Sequence, residues 1–230
     1  AHVSTHAQSG FRMTHRKQSA MTRAIPGVVR IIGGRWRGSK LPVAEVAGLR
    51  PTADRVRETL FNWLQPKLTG ARVLDLFAGT GALGLEAASR GAGRVVLIER
   101  DPALAASLGA TAARLARRDG PSVVEIVCDD ALNWLGRVPG VQFDLVFVDP
   151  PFADALWQSA LAALAPWLAD DAWLYLESPR AGLPVTGPPI TADGWLLHRE
   201  GSTRDVRYAL YRRGAVTLAY ESAEQDPARA

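Results

Sequence analysis

From residue 72 onward, short and nearly continuous apolar runs alternate with Ala/Leu-rich stretches of helical character, and few folds accommodate that alternation. The runs are 72–77, 94–99, 123–128, 143–148 and 172–177, separated by helical stretches near 82–90, 102–118, 130–136 and 154–168. Strands that are apolar on both faces and alternate with helices predict a parallel sheet covered on each side. The pattern then breaks. Residues 195–200 and 206–212 read as two strands joined by the polar turn Gly201-Ser202-Thr203-Arg204. The expected fold class is α/β, a Rossmann-like, mostly parallel sheet ending in an antiparallel hairpin.

A smaller unit precedes the sheet. Residues 28–32 and 40–43 are short apolar runs flanking Gly33-Gly34-Arg35-Trp36-Arg37-Gly38, which reads as a β-hairpin with a basic, Trp-bearing loop. Arg50-Pro51-Thr52 opens a helix with Thr52 as candidate N-cap, Asp54 in the first turn and Val56, Leu60, Trp63 and Leu64 along one side. The chain thus divides into a polar leader over 1–27, a hairpin-and-helix extension over 28–66, the sheet domain over 67–214 and a tail over 215–230.

Charge follows this division. Residues 1–57 hold eleven Lys/Arg against Glu45 and Asp54, a local charge of +9, so the remainder of this +4 chain carries −5. A basic first portion on a mildly acidic body suits one part meeting a polyanion while the other does different work, although a solvated basic tail has the same composition. The only cysteine is Cys128, expected as a buried strand residue, so neither a disulfide within the chain nor a cysteine-rich zinc cluster can form; a reducing, cytoplasmic home fits. His2, His6 and His15 lie in the leader, leaving only His198 for a catalytic triad or a metal site, and no metal is expected. No run of eighteen uncharged apolar residues suggests a membrane span.

Two motifs carry chemistry. Residues 73–84 run from an apolar strand through Asp75, Phe77, Ala78, Gly79, Thr80 and Gly81 to Gly84, a Gly-x-Gly-x-x-Gly turn entering a helix. Glu99 follows Gly79 by twenty residues at the end of the next strand, beside Arg100, where a carboxylate can accept from two ribose hydroxyls. A structural tight turn with the same glycines stays open. Asp75 would repel a pyrophosphate and attract the α-amino group of S-adenosylmethionine, or else cap the next helix. Asp130, followed by Ala131, can take an adenine amino group or cap a helix, and the two uses are compatible.

The second motif ends the fourth run at Asp149-Pro150-Pro151-Phe152. Two prolines stop the hydrogen-bond ladder and hold a rigid turn. Phe152 can stack on a planar base while Asp149 and the Pro150 carbonyl accept from its exocyclic amine. Trp134, Trp157, Trp167 and Trp173 read as core or rim, and Trp36 as the one tryptophan available for stacking on a base.

These segments, with 30–42, 50–64 and 81–87, resemble the RsmD family of class I S-adenosylmethionine-dependent methyltransferases over about residues 28–213. The resemblance implies methylation of guanine N2, at position 966 of 16S rRNA, on the small (30S) subunit or an assembly intermediate. It implies S-adenosylmethionine as cofactor; Asp149 to Phe152 are expected as the acceptor turn, the basic segment is expected to contact RNA through Arg30, Arg35, Trp36, Arg37, Lys40, Arg50, Arg55 and Arg57, and a monomer is expected. Three other readings compete. Amino-methylation of DNA or another RNA shares the motifs, a nicotinamide-dependent dehydrogenase leaves Asp149 to Phe152 without a purpose, and a non-catalytic RNA-binding module leaves both motifs so.

Overall fold

In the computed structural model, which describes residues 28–43, 54–117, 122–151, 156–180 and 194–214, the chain opens with two short strands. β1 (Val28–Arg30) and β2 (Lys40–Pro42) pair antiparallel with Val29 opposite Leu41. Helix α1 (Asp54–Leu68) follows, burying Val56, Leu60, Phe61, Leu64 and Leu68 along one stripe. Thr52, the expected N-cap, and Arg50 lie outside the described residues, as do the leader, the tail and Phe152.

The alternating runs then become β3 (Arg72–Asp75), α2 (Ala82–Ser89), β4 (Arg94–Glu99), α3 (Pro102–Ala116), β5 (Val124–Cys128), α4 (Ala131–Leu135), β6 (Phe143–Val148) and α5 (Trp157–Leu164). A single 3-10 turn (Ala165–Trp167) leads to β7 (Leu168–Pro179), β8 (Trp195–Ser202) and β9 (Val206–Arg213). Local chemistry sets several boundaries. Asp101 caps α3 by accepting from Ala103 and Leu104 N–H at 2.8 and 3.0 Å, with Pro102 at the first helical position. The fifth helix, expected to reach 168, gives way at Ala165 because Pro166 has no N–H to continue the ladder.

The seven-stranded sheet has the order β5-β4-β3-β6-β7-β9-β8. β3 to β7 are parallel, and β9 runs antiparallel to both β7 and β8. Alternate residues feed two cores. Val73, Leu97, Leu145, Phe147, Tyr175 and Tyr208 pack with α1, α2, α3 and the N-terminal hairpin, while Leu74, Ile98, Val146, Leu176 and Tyr211 pack with α4 and α5. Sequence order reverses between β3 and β6, and such a switch point leaves a crevice at the carboxyl ends of the strands where ligands bind in open α/β sheets.

The hairpin is fastened to α2 by polar bonds. Glu86, fully buried, accepts Ile32 N–H at 2.7 Å on Oε2 and Gly33 N–H at 2.8 Å on Oε1. Ser89 accepts Trp36 N–H at 2.9 Å on Oγ and donates that hydroxyl to the Gly33 carbonyl at 2.6 Å. Arg35 N–H reaches the Ser89 carbonyl at 2.9 Å. Backbones approach so closely that a Cβ at Gly34, whose φ is +74°, would stand 2.0 Å from that carbonyl oxygen.

This docking corrects two expectations. Trp36 is not an exposed stacking residue but 2% exposed within the hairpin-side core, because its large apolar area is better served there than in water. Arg57 is not an RNA contact but fully buried. It falls on the stripe that places Phe61, Leu64 and Leu68 inside, and it bonds Asp54 Oδ1 at 2.6 Å and the Arg30 carbonyl at 2.8 Å. A third expectation also fails: Cys128 is exposed, since it closes β5, an edge strand that is only partly covered.

Candidate active site

The site grows from the carboxyl ends of β3, β4, β6 and β7. Asp75 closes β3, 2% exposed, with Oδ2 accepting the Gly84 N–H of α2 at 2.9 Å. Burial disfavours its charged form, and its pKa is pushed up to about 7; the Gly84 bond opposes the rise and nearby Glu99 adds to it. The turn that follows contains half-buried Phe77, buried Ala78 and Thr80, and Gly79 and Gly81 at φ of 52° and 74°. A Cβ at Gly81 would meet the Leu108 side chain at 2.6 Å, so the left-handed turn and its contact with α3 both require glycine.

Glu99 closes β4 and is 8% exposed. Its Oε2 accepts Gly79 N–H and its Oε1 accepts Asp101 N–H, both at 2.8 Å, so one carboxylate ties the Gly-rich turn to the start of α3. Arg100, beside it, is exposed. At the end of β5, Asp130 caps α4, its Oδ1 accepting Leu132 and Asn133 N–H at 2.9 and 3.2 Å; Ala131 behind it is buried. A shallow opening of about 210 Å³ lies between the Gly-rich turn and α3, lined by Pro42, Gly79, Thr80, Leu104, Ser107, Leu108 and Thr111. It borders the Gly-rich turn and includes no described residue of the Asp149-Pro150-Pro151 turn.

Asp149 follows β6 directly and is half-buried; Pro150 is buried and Pro151 exposed. Strand register relates this turn to its neighbours. Asp75 stands opposite Phe147, Phe147 opposite Tyr175, and Val148 opposite Leu176. Asp149 and Glu177 are the residues that directly follow this last pair, Asp149 in the turn after β6 and Glu177 still within β7. Alternation puts Asp75, Glu99 and Glu177 toward the face that carries α1 and α2, the face of Phe147 and Tyr175. Sequence reasoning passed over Tyr175 and Glu177. Their signal was a Glu closing an apolar run.

The N-terminal hairpin and the start of α1 expose several cations. Arg30, Arg35, Arg37, Lys40 and Arg55 are exposed on or next to the docked hairpin. The Arg35 guanidinium lies 4.7 Å from the centre of the Trp36 ring, holding one cation against the indole from outside. Among the described residues, no group of three or more His, Cys, Asp and Glu side chains is placed to hold a metal ion. No described helix is long and apolar enough to cross a membrane. His198, in β8, is exposed and stands edge-on to Trp173 at 4.8 Å, a packing contact.

Strand order, the Gly-rich turn after β3, the acid closing β4 and the Asp-Pro-Pro turn after β6 together define the class I methyltransferase fold. Magnesium protoporphyrin IX methyltransferase from Synechocystis, solved with bound S-adenosylmethionine, shares this fold with a TM-score of 0.54 at 20% identity, over 70% of this chain and 79% of that one. The particular family follows from closer relatives. The model of the family described as Conserved hypothetical protein 95 matches residues 29–212, and the chain belongs to that family, the RsmD family. It is 46% identical over 191 residues to ribosomal RNA small subunit methyltransferase D of Escherichia coli (strain K12), covering 82% of this chain and 92% of that protein. A solved putative methyltransferase from Escherichia coli matches with a TM-score of 0.71 at 44% identity, over 82% of this chain and 99% of that one.

Proposed function

We propose that this protein transfers a methyl group from S-adenosylmethionine to the exocyclic N2 of a guanine in 16S rRNA, guanine 966 by family resemblance. Its substrate is the small ribosomal subunit or a precursor of it, and it acts as a cytoplasmic monomer. The observation that carries the reading is the Asp149-Pro150-Pro151 turn at the end of β6, across the switch point from the Gly-rich turn after β3. The named activity of the Escherichia coli relative supports RNA of the small subunit as the substrate.

The residues present fit the cofactor. A left-handed glycine turn leaves no side chain between backbone and ligand, Glu99 closes β4 beside it, and both cap bonds of Asp130 fall on Oδ1. Glu99 would hold the ribose hydroxyls, Asp75 the α-amino group directly or through water, and Asp130 the adenine amine. Phe77, Ala78, Thr80, Arg100 and Ala131 complete the surround. When bound, S-adenosylmethionine supplies a methyl group already activated by its sulfonium.

The chain's own task is alignment and charge. Guanine N2 is a weak nucleophile because its lone pair is delocalised into the ring. Accepting its two hydrogens at Asp149 and the Pro150 carbonyl favours a pyramidal nitrogen and stabilises the positive charge that grows during attack. With the sulfonium cofactor bound to supply the methyl group, the N2 lone pair would be aligned for attack, and N2 would lose its proton to Asp149 or water. Phe152 stacks on the flipped base and repays part of its unstacking cost. The exposed cations of the hairpin contact phosphates, which position the particle without reading sequence.

The test combines Asp149→Ala with single-turnover assays on 30S subunits, protein-free rRNA and DNA, and mass spectrometry of the product nucleosides. The expected result is N2-methylguanosine in 30S rRNA, lost by about two orders of magnitude in the variant while cofactor binding persists. Near-normal turnover in Asp149→Ala would remove the proposed role, and methyl appearing in DNA instead would overturn the substrate.

A further inference from the structure

A buried carboxylate stands near the end of β7 that the reaction above leaves unused. Glu177 is 4% exposed, and its Oε1 accepts the Tyr175 hydroxyl at 2.7 Å. Tyr175 is fully buried and meets Phe147 edge-on, ring centres 6.1 Å apart at 82°, so its hydroxyl has a fixed position. Burial first, then the charge of Glu177 and of Asp149, hold the phenol well above its ordinary pKa, so it remains a hydrogen-bond donor. On the other side, Glu177 is paired with Tyr208 of β9, whose ring stacks on Trp63 of α1 at 5.8 Å. Glu177 is therefore anchored just past Leu176, the residue opposite Val148, and Asp149 follows Val148, close enough for its charge to act on the same Tyr175 hydroxyl.

We propose that Glu177 is a specificity-determining residue of the acceptor-base pocket, accepting the ring N1–H of guanine while Asp149 and the Pro150 carbonyl accept the N2 hydrogens. The assignment rests on the guanine-N2 reading above and adds the element that selects the base. Guanine alone presents two adjoining donors, N1–H and N2–H, on its pairing edge. Adenine and cytosine place a ring-nitrogen lone pair beside their amino group. Two carboxylates side by side match the first pattern, and against the second one of them faces a lone pair in a site poor in water. Sites built to hydrogen-bond a donor reject the analogue that lacks it far more strongly than apolar pockets reject a size change. Asp149 alone accepts from any exocyclic amine and makes no such distinction.

The experiment uses small subunits reconstituted with either guanine or 2-aminopurine at the target nucleotide. 2-Aminopurine keeps the N2 amine and replaces N1–H with a lone pair. The wild-type protein is expected to methylate the 2-aminopurine particle at least about a hundredfold more slowly in single turnover. Glu177→Gln, with an amide able to turn its NH₂ toward that lone pair, is expected to bring the two rates within about tenfold, losing on guanine and gaining on 2-aminopurine. Comparing variants by the ratio of the two rates cancels the intrinsic difference between the amines. Tyr175→Phe, which keeps the ring packing and removes the donor that orients Glu177, should move the ratio in the same direction by less. Calorimetric affinity for S-adenosylmethionine should stay at the wild-type value in both variants. If Glu177→Gln slows both substrates by one factor, or changes neither, Glu177 does not read the base and the proposal falls. If the wild type places no methyl on guanine N2, the guanine reading itself fails, and this assignment with it.

Discussion

Arg57 Nη1 of α1 lies 3.7 Å from Oε2 of Glu86 in α2, and both side chains are wholly excluded from water. Around this pair the N-terminal hairpin and α2 are tied together. Arg57 reaches the Arg30 carbonyl of β1, and Glu86 holds the backbone of Ile32 and Gly33 and the Arg90 guanidinium, the last at 2.6 Å. A buried charge left without its partner is costly, whereas the intact pair adds little against a well-packed apolar substitute.

Glu86→Ala is therefore expected to destabilise the protein by about 3–5 kcal/mol, because it leaves buried Arg57 with exposed Asp54 as its remaining counter-charge and strands two backbone N–H groups. Glu86→Gln should cost less, since an amide oxygen still accepts from one of those groups. Urea unfolding of both variants checks the order. Equal stability of wild type and Glu86→Ala would show that Glu86 adds nothing to the hold already supplied by the Ser89 bonds and apolar packing.

The hairpin surface divides into exposed cations, proposed to meet RNA, and residues that meet the core. Arg35→Ala with Arg37→Ala should weaken binding to the ribosomal substrate and reduce the slope of log affinity against log salt by about 0.7–0.9 for each phosphate no longer neutralised. S-adenosylmethionine affinity should not change. Trp36→Ala, by comparison, should cost about 3–5 kcal/mol of stability as a buried large-to-small change. Filter binding over a salt series and thermal unfolding separate the two outcomes.

Stability should carry the signature of Asp75. Its folded pKa of about 7 lies above its ordinary 3.8, so the folded state binds the extra proton between those values. The stabilisation is fully present below about pH 3.8 and is lost as pH rises through about 7, with a slope of at most about −1.4 kcal/mol per pH unit inside the window. Asp75→Asn keeps an oxygen for Gly84 N–H and removes the titration. The difference in unfolding free energy between wild type and Asp75→Asn, measured from pH 4 to 8, should therefore trend against the wild type as pH rises. A flat difference would mean that Asp75 ionises in the fold as it does in water.

Glu99→Ala should weaken S-adenosylmethionine and S-adenosylhomocysteine alike, by at least about tenfold, as expected for losing hydrogen bonds to a charged group worth about 1.5–3 kcal/mol. Glu99→Gln should fall between, because one oxygen still accepts from Gly79 or Asp101. Calorimetry on both variants decides it, and unchanged affinity in Glu99→Ala would remove Glu99 from the cofactor site.

What could be read from the linear chain was whatever depends on neighbours in sequence. Apolar runs of strand length, Pro102 after Asp101, the glycines around Thr80 and the double proline after Asp149 each act through their own backbone, so the parallel sheet, the capped helices and both chemical turns were legible. Side-chain destinations were not. Arg57 and Trp36 look like members of a basic RNA-binding segment until the hairpin docks on α2, where Glu86 and Ser89, 29 and 53 residues further on, supply the charge and hydrogen bonds that make their burial favourable. Cys128 likewise looks interior until the strand order leaves β5 at an edge. The same holds for Glu177. Its place beside Asp149 exists only because β7 pairs with β6 in one register, and a residue slip would turn it to the opposite face.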